Sequence, residues 1–238
     1  MIGVPTLIKE VLKKIILGSK YDSESYIRYL RKVGARIGED CTIYVPQKTL
    51  IDIQKPCLID IGDHVRITQG VAILTHGYDW SVLKGKYGDV LGSAGKVKIG
   101  NNVFIGMNTT ILKGVTIGNN VIIGAGSVVT SDIPDDCVAV GVPCKFVMSL
   151  DAYHEKRLKR QYCEAAELVK EYRSVYKCDP PDEILREFYW LFANNPDKIP
   201  DCWDEVLYLV GNYEKSNKEF IAHAPMFCNK DEFLKSVE

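Results

Sequence analysis

The sequence predicts a parallel β-helix with helical segments at both ends, and three observations carry that prediction. An aliphatic residue returns every six positions through Ile99, Ile105, Ile111, Ile117, Ile123 and Val129. One local script, Ile-Gly-Asn-Asn-Val, recurs at 99–103 and 117–121. Before residue 35 and after residue 149 the apolar spacing becomes that of a helix. A period of six suits neither an α-helix nor a hairpin sheet. It marks short flat sides that bury their apolar residue only when neighbouring units stack on them.

If three six-residue sides close one coil, residues 18 apart lie above one another at about the 4.8 Å spacing of paired strands. Ile99 then sits under Ile117, and Ile105 under Ile123. Gly100, Gly106, Gly118 and Gly124 fall at corners with no room for a Cβ. Asn101, Asn102, Asn119 and Asn120 share those corners, since asparagine tolerates left-handed backbone angles and can ladder its amide between coils.

In chain order, residues 6–17 and 23–33 have helical spacing, the second with Tyr26, Ile27, Leu30 and Val33 on one face and Ser23 as its N-cap. Residues 1–35 are therefore expected to form a helical cap over the open end of the coil. The six-residue period starts imperfectly at Ile37-Gly38 and Ile43, loses regularity over 50–59, and returns at Ile61, Ile67 and Ile73. The coil domain is placed at 36–148. Between Ile73 and Ile99 lie 26 positions, four repeats plus two, so the phase breaks and a loop at 77–96 must be extruded. This loop has no usable periodicity, and long loops inside compact repeats are usually functional. From Ser149, Leu158, Tyr162, Ala165, Leu168, Val169, Tyr172 and Tyr176 repeat at helical spacing, so 149–238 reads as an α-helical appendage whose aromatics form core and docking surface.

Composition narrows the function. A net charge of -1 argues against a general nucleic-acid binder, although residues 1–150 carry +4 and residues 151–238 carry -5. Leu7–Leu17 is short and holds Lys9, Glu10, Lys13 and Lys14, so it reads as an amphipathic helix rather than a signal peptide or membrane span. A cytoplasmic location is the expectation. The eight cysteines show no zinc-type spacing and are expected to be free thiols, mostly buried.

The runs Ile99–Gly106, Gly114–Pro134 and Gly141–Lys145 resemble the C-terminal coils of the hexapeptide acyltransferases, in particular the galactoside and maltose O-acetyltransferases. Thr75-His76-Gly77-Tyr78-Asp79 is similar to the opening of the extended loop in xenobiotic acetyltransferases, which share the fold. The resemblance implies a left-handed coil direction, a homotrimer, and acetyl-CoA held in the groove between two subunits. None of these follows from the periodicity.

Acetyl transfer to a hydroxyl needs a base for the hydroxyl proton and donors for the oxyanion. Of the histidines 64, 76, 154 and 223, His76 stands where the loop leaves the coil, the position the resemblance implies for the general base. His64 occupies a corner position equivalent to Asn102 and Asn120, for which a structural role suffices. Asp79 could orient the His76 imidazole, bind a sugar or fix the loop. The resemblance further implies coenzyme contacts from Met107, Gly124, Ala125, Thr130, Ser131 and Lys145, with Ser131 and Met148 replacing basic residues of the galactoside enzymes. Tyr78, Asp79 and Trp80 are the candidates for a carbohydrate acceptor, free or in a polysaccharide precursor. A xenobiotic hydroxyl or a nucleotide-sugar amine are alternative acceptors, and no metal is called for. A zinc carbonic anhydrase on the same coil would need three histidines, and the coil offers two. A non-catalytic trimeric scaffold is the competing reading from another class.

Overall fold

The computed structural model describes residues 13–237, in two compact units, Met1–Tyr153 and His154–Glu238. In the first unit, three parallel sheets form three faces. Arg36–Ile37, Ile59–Ile61, Val97–Ile99 and Thr116–Ile117 build the first face, with Ile133 bridging to Ile117. The second holds Thr42–Ile43, Arg66–Ile67, Val103–Ile105, Val121–Ile123 and Cys137–Val140, ended by the antiparallel strand Lys145–Ser149. The third holds Leu50–Ile51, Ala72–Ile73, Thr110–Ile111 and Val128–Val129.

The register follows the expected arithmetic. Lys98 pairs with Thr116, Phe104 with Ile122 and Thr110 with Val128, each 18 residues on. The six aliphatics of the period, Ile99, Ile105, Ile111, Ile117, Ile123 and Val129, are no more than 1% exposed. Asp60–Lys98, Arg66–Phe104 and Ala72–Thr110 are 38 apart, so this coil carries 20 residues beyond the regular rung. The early pairs Arg36–Asp60 and Thr42–Arg66 are 24 apart. Their extra residues form the single 3-10 turns Pro46–Lys48 and Pro56–Leu58, each opened by a proline whose fixed φ suits a first helical position. The period is interrupted there in sequence, while the stack continues.

One corner is held by a side-chain ladder. Asp63 Oδ1 accepts from Glu39 N, Asn101 Oδ1 from Asp63 N, Asn119 Oδ1 from Asn101 N, and Asp135 Oδ1 from Asn119 N, all within 2.7–2.9 Å. The following residues, Asp40, His64, Asn102, Asn120 and Asp136, all have φ between 49° and 56°. Asn102 Nδ2 donates to Asn120 Oδ1 at 2.9 Å. Left-handed geometry thus belongs to Asn102 and Asn120, while Asn101 and Asn119 act as acceptors. Gly100 is required by crowding: a Cβ there would lie 2.6 Å from the Gly118 carbonyl oxygen one rung away.

Helix Ser23–Lys32 buries Tyr26, Ile27 and Leu30. Its N-cap is Asp22 rather than Ser23. Asp22 is extended and its carboxylate accepts from Ser25 N at 2.7 Å, whereas the Ser23 hydroxyl accepts from Ile43 N at 2.9 Å and ties the helix to the coil. Most of the helix expected over 6–17 lies outside the described residues; 13–17 is helical and leads into a 3-10 turn, Gly18–Lys20.

The extruded segment is more ordered than its lack of period suggested. His76–Gly77 pairs antiparallel with Ser93–Ala94, and Trp80–Tyr87 is a helix stopped by Gly88 at φ 82°. Its apolar residues face no core, which is why no amphipathic spacing marked it. The second unit is helical, with Leu150–Tyr176 entering it and Asp201–Tyr208, Tyr213–Ala222 and Lys230–Ser236 following. Its own core includes Ala165, Val169, Leu185, Tyr189, Trp203, Phe220 and Phe233. Leu158 and Tyr176, placed by spacing on the inward face, are exposed. All eight cysteines are free, but only Cys137 and Cys144 are buried, and Cys57, Cys163, Cys178 and Cys228 are exposed. Thiols on helix surfaces and turns correct the expectation of mostly buried ones.

Two alanine substitutions separate the corner glycines from the rest. Gly100→Ala is expected to lower stability by roughly 1–3 kcal/mol through overpacking against the next rung. Gly85→Ala, in the loop helix with nothing within 4 Å of its Cβ, is expected to stabilise by about 0.5–1 kcal/mol. Urea midpoints of the two variants check both signs.

Candidate active site

The third face supplies one half of the site and the extruded segment the other. Ile51 and Ile73 stack inward as neighbours, so the next residues, Asp52 and Leu74, leave the face side by side. Two residues further on the chain turns out of the coil at His76. The register thereby brings a carboxylate under an imidazole: His76 Nδ1 lies 2.5 Å from Asp52 Oδ2. Thr75 also donates to that oxygen, through its hydroxyl at 2.5 Å and its backbone N–H at 3.1 Å, while Gln54 N donates to Oδ1 at 2.9 Å. Thr75 is fully buried, and the Asp52 side chain is 7% exposed against 19% for His76.

Burial by itself would raise the Asp52 carboxyl, but the hydrogen bonds from Thr75, Gln54 and His76 outweigh it and hold the group below its ordinary value. Asp52 is thus an anion at neutral pH. A carboxylate only accepts, so Nδ1 carries the imidazole proton and Nε2 is left with its lone pair. The imidazole is partly exposed, so that lone pair is open to a hydrogen-bond donor.

Asp79 does not orient His76. It is exposed, and its carboxylate folds against Gly77 within its own loop, where an added Cβ would lie 2.2 Å from Asp79 Oδ1. Asp52 is the residue that reading the sequence missed, because the 3-10 turns on either side hide its register. Its one signal is a carboxylate directly after the in-phase Ile51. Tyr78 and Trp80 pack ring to ring at 5.2 Å, with Tyr78 exposed.

The residues assigned to a coenzyme lie on the upper rungs. Met107, Gly124 and Ala125 sit in the turns between the second and third faces, and the Met107 carbonyl accepts from Gly126 N at 2.7 Å. Thr130 and Ser131 follow Val129 at the other edge of the third face; both are exposed, as is Lys145 on the terminal strand. A Cβ added at Gly126 would meet nothing within 4 Å, whereas one at Gly124 would lie 2.5 Å from the Val140 side chain, so this turn is crowded at Gly124 and open at Ala125 and Gly126.

The remaining histidines have other duties. His64 Nδ1 lies 2.6 Å from Asp40 Oδ2 at the ladder corner, and His223 is bracketed by the Phe220 and Trp190 carbonyls at 2.6 and 2.9 Å. Burial pushes the Cys137 and Cys144 thiols up, which removes them as nucleophiles. Among the described residues no three His, Cys, Asp or Glu side chains gather as a metal site.

Three parallel faces of stacked short strands, with one long segment extruded beside the Asp52–His76 pair, define a protein of the stacked-repeat class. Residues 96–131 match the family model for bacterial transferase hexapeptides of six repeats. The chain is 45% identical over 130 residues to protein CapG of Staphylococcus aureus, covering 55% of this chain and 74% of that protein. It is 42% identical over 93 residues to galactoside O-acetyltransferase of Escherichia coli strain K12, covering 39% of this chain and 45% of that enzyme, less than half its length. The crystal structure of a maltose O-acetyltransferase from Clostridium difficile 630 aligns over 61% of this chain and 89% of that one at 29% identity and TM-score 0.40. The chain belongs to the hexapeptide-repeat acetyltransferases.

Because the Asp52 carboxyl is lowered in the folded state, the stability it contributes is fully present above its ordinary pKa of 3.8 and is lost as pH falls through the native value. Asp52→Asn is therefore expected to be less stable than wild type at neutral pH, by about 1–3 kcal/mol for the unsatisfied partners. The gap should narrow below pH 3.8. Denaturant titrations across pH measure it.

Proposed function

We propose that the protein is an acetyl-CoA-dependent O-acetyltransferase acting on a carbohydrate hydroxyl, free or within a polysaccharide precursor, with His76 as general base. The observation that carries this reading is the Asp52–His76 pair at the point where the loop leaves the coil. The galactoside and maltose O-acetyltransferases named among the relatives support the acyl group and the acceptor class.

In this reading the acceptor hydroxyl meets His76 Nε2. As its oxygen attacks the thioester carbonyl, the proton passes to Nε2, and the charge on the imidazolium is balanced by Asp52 through Nδ1–H. Collapse of the tetrahedral intermediate breaks the carbon–sulfur bond, and the thiolate of coenzyme A recovers the proton. No acyl-enzyme is needed, so both substrates are bound together. The exposed turn at Ala125 and Gly126, next to Gly124, takes the pantetheine arm, Met107 offers main-chain contact, Thr130 and Ser131 flank the arm, and Lys145 meets the phosphate end. Tyr78, Asp79 and Trp80 form the acceptor side.

A homotrimer of left-handed coils, with each coenzyme groove shared by two subunits, completes the proposal. Exposed Phe104 on the second face, 42% exposed and in register with half-buried Ile122, supports association. Residues 13–35 cap the coil of 36–148, the rest of the cap expected over 1–35 lying outside the described residues, and 149–237 form a helical appendage outside the chemistry. A cytoplasmic location follows from the supply of acetyl-CoA there.

His76→Ala is expected to lower turnover by roughly 10²- to 10⁴-fold with coenzyme A affinity unchanged. Asp52→Asn should lose less, since it misorients the base rather than removing it. Thiol release with a panel of sugars, beside calorimetric coenzyme binding, tests the assignment; near-normal turnover in His76→Ala overturns it.

A further inference from the structure

The end of the coil that carries the N-terminal segment presents apolar and basic residues together. Ile15 and Ile16 are 73% and 78% exposed, beyond what one helical turn of a water-soluble surface ordinarily shows. Lys13 and Lys14 flank them, and both ammonium groups sit about 5 Å from the Tyr21 ring, at the margin of the apolar face. Leu7, Ile8, Val11 and Leu12 precede this pair in the sequence and lie outside the described residues. The segment is tied to the coil: Gln47 Nε2 donates to the Lys20 and Tyr21 carbonyls at 2.6 and 3.2 Å, and Lys20 Nζ to the Thr49 carbonyl at 2.7 Å. The first coil adds exposed Leu50 and Ile53, with Lys48 and Lys55 also exposed.

We propose that this end of the molecule, centred on Lys13, Lys14, Ile15 and Ile16, docks in the plane of an anionic lipid surface. The argument for that occupant is charge. Against a second copy of itself, the face would bring Lys13 and Lys14 against their own counterparts, which is repulsive. Against anionic headgroups the same lysines are attracted while the isoleucines enter the acyl boundary. Among the described residues no helix is long and apolar enough to cross a membrane, which takes about 20 residues, so the contact proposed is with the surface. The inference stands apart from the acetyl-transfer reading, since it concerns lipid contact and no catalytic residue.

Co-sedimentation of the full chain with phosphatidylglycerol-containing vesicles and with neutral phosphatidylcholine vesicles tests it. Wild type is expected to pellet with the anionic vesicles only, and less so as salt is raised. Lys13→Glu/Lys14→Glu should weaken this on the order of tenfold or more. Ile15→Glu/Ile16→Glu should abolish it, with unchanged circular dichroism and sedimentation velocity. The proposal fails if wild type stays in the supernatant with anionic vesicles, or if the Ile15→Glu/Ile16→Glu variant pellets like wild type. It fails equally if that variant alters the oligomeric state, since the face would then be a protein contact.

Discussion

The constraint on which the structure depends is the backbone hydrogen bond from one rung to the next. Once Gly100 N donates to Ile117 O and Gly118 N to Ile133 O, both within 2.9 Å, the rungs have one possible spacing. Every inward aliphatic then lands on its neighbour. Burial of Ile99, Ile105, Ile111 and their successors follows from that register, as do the corner glycines, whose absent Cβ atoms let two rungs approach. The side-chain ladder from Asp63 to Asp135 repeats the same spacing in polar groups, so core and corner enforce one another.

Function enters where the register is kept and the sequence period is not. The coil containing His76 holds 20 residues more than a regular rung, yet Ala72 still pairs with Thr110 as neighbours in the stack. The insertion is therefore expelled as a unit, and its first residue beyond the coil is held by the rung below. Asp52 is buried by the same stacking that buries Ile51, and its cost of burial is offset by four donors rather than by an opposite fixed charge. A rigid repeat thus holds one imidazole in a chosen tautomer beside the extruded loop.

The second unit follows another logic. After the long helix Leu150–Tyr176 come 3-10 turns and then short helices, and its core is rich in aromatics: Tyr189 stacks on Trp203 at 5.8 Å and meets Phe220 edge-on at 5.1 Å. Large rings fill a small core that short helices could not close with aliphatic side chains alone. Arg173 adds a polar tie, donating to the Val237 and Leu234 carbonyls and pairing with Asp179 at 2.6 Å.

From the sequence alone, the six-residue period determined the parallel coil, its inward residues, its crowded corners and the place where a loop must leave, because each depends on spacing along one chain. His76 was singled out by its position at that exit together with the family resemblance, which the period alone does not supply. Asp52 was decided only by the tertiary structure: its partner lies 24 residues away, and the 3-10 turns at 46–48 and 56–58 conceal that Ile51 and Ile73 share a face. Asp22 displaced Ser23 as the N-cap because Ser23 was needed by Ile43, a contact across 20 residues. The loop helix at 80–87 escaped notice because helical spacing reports only a helix that buries a face. Local repetition is written in the order of residues, whereas a contact between irregular segments exists only once the rungs are stacked.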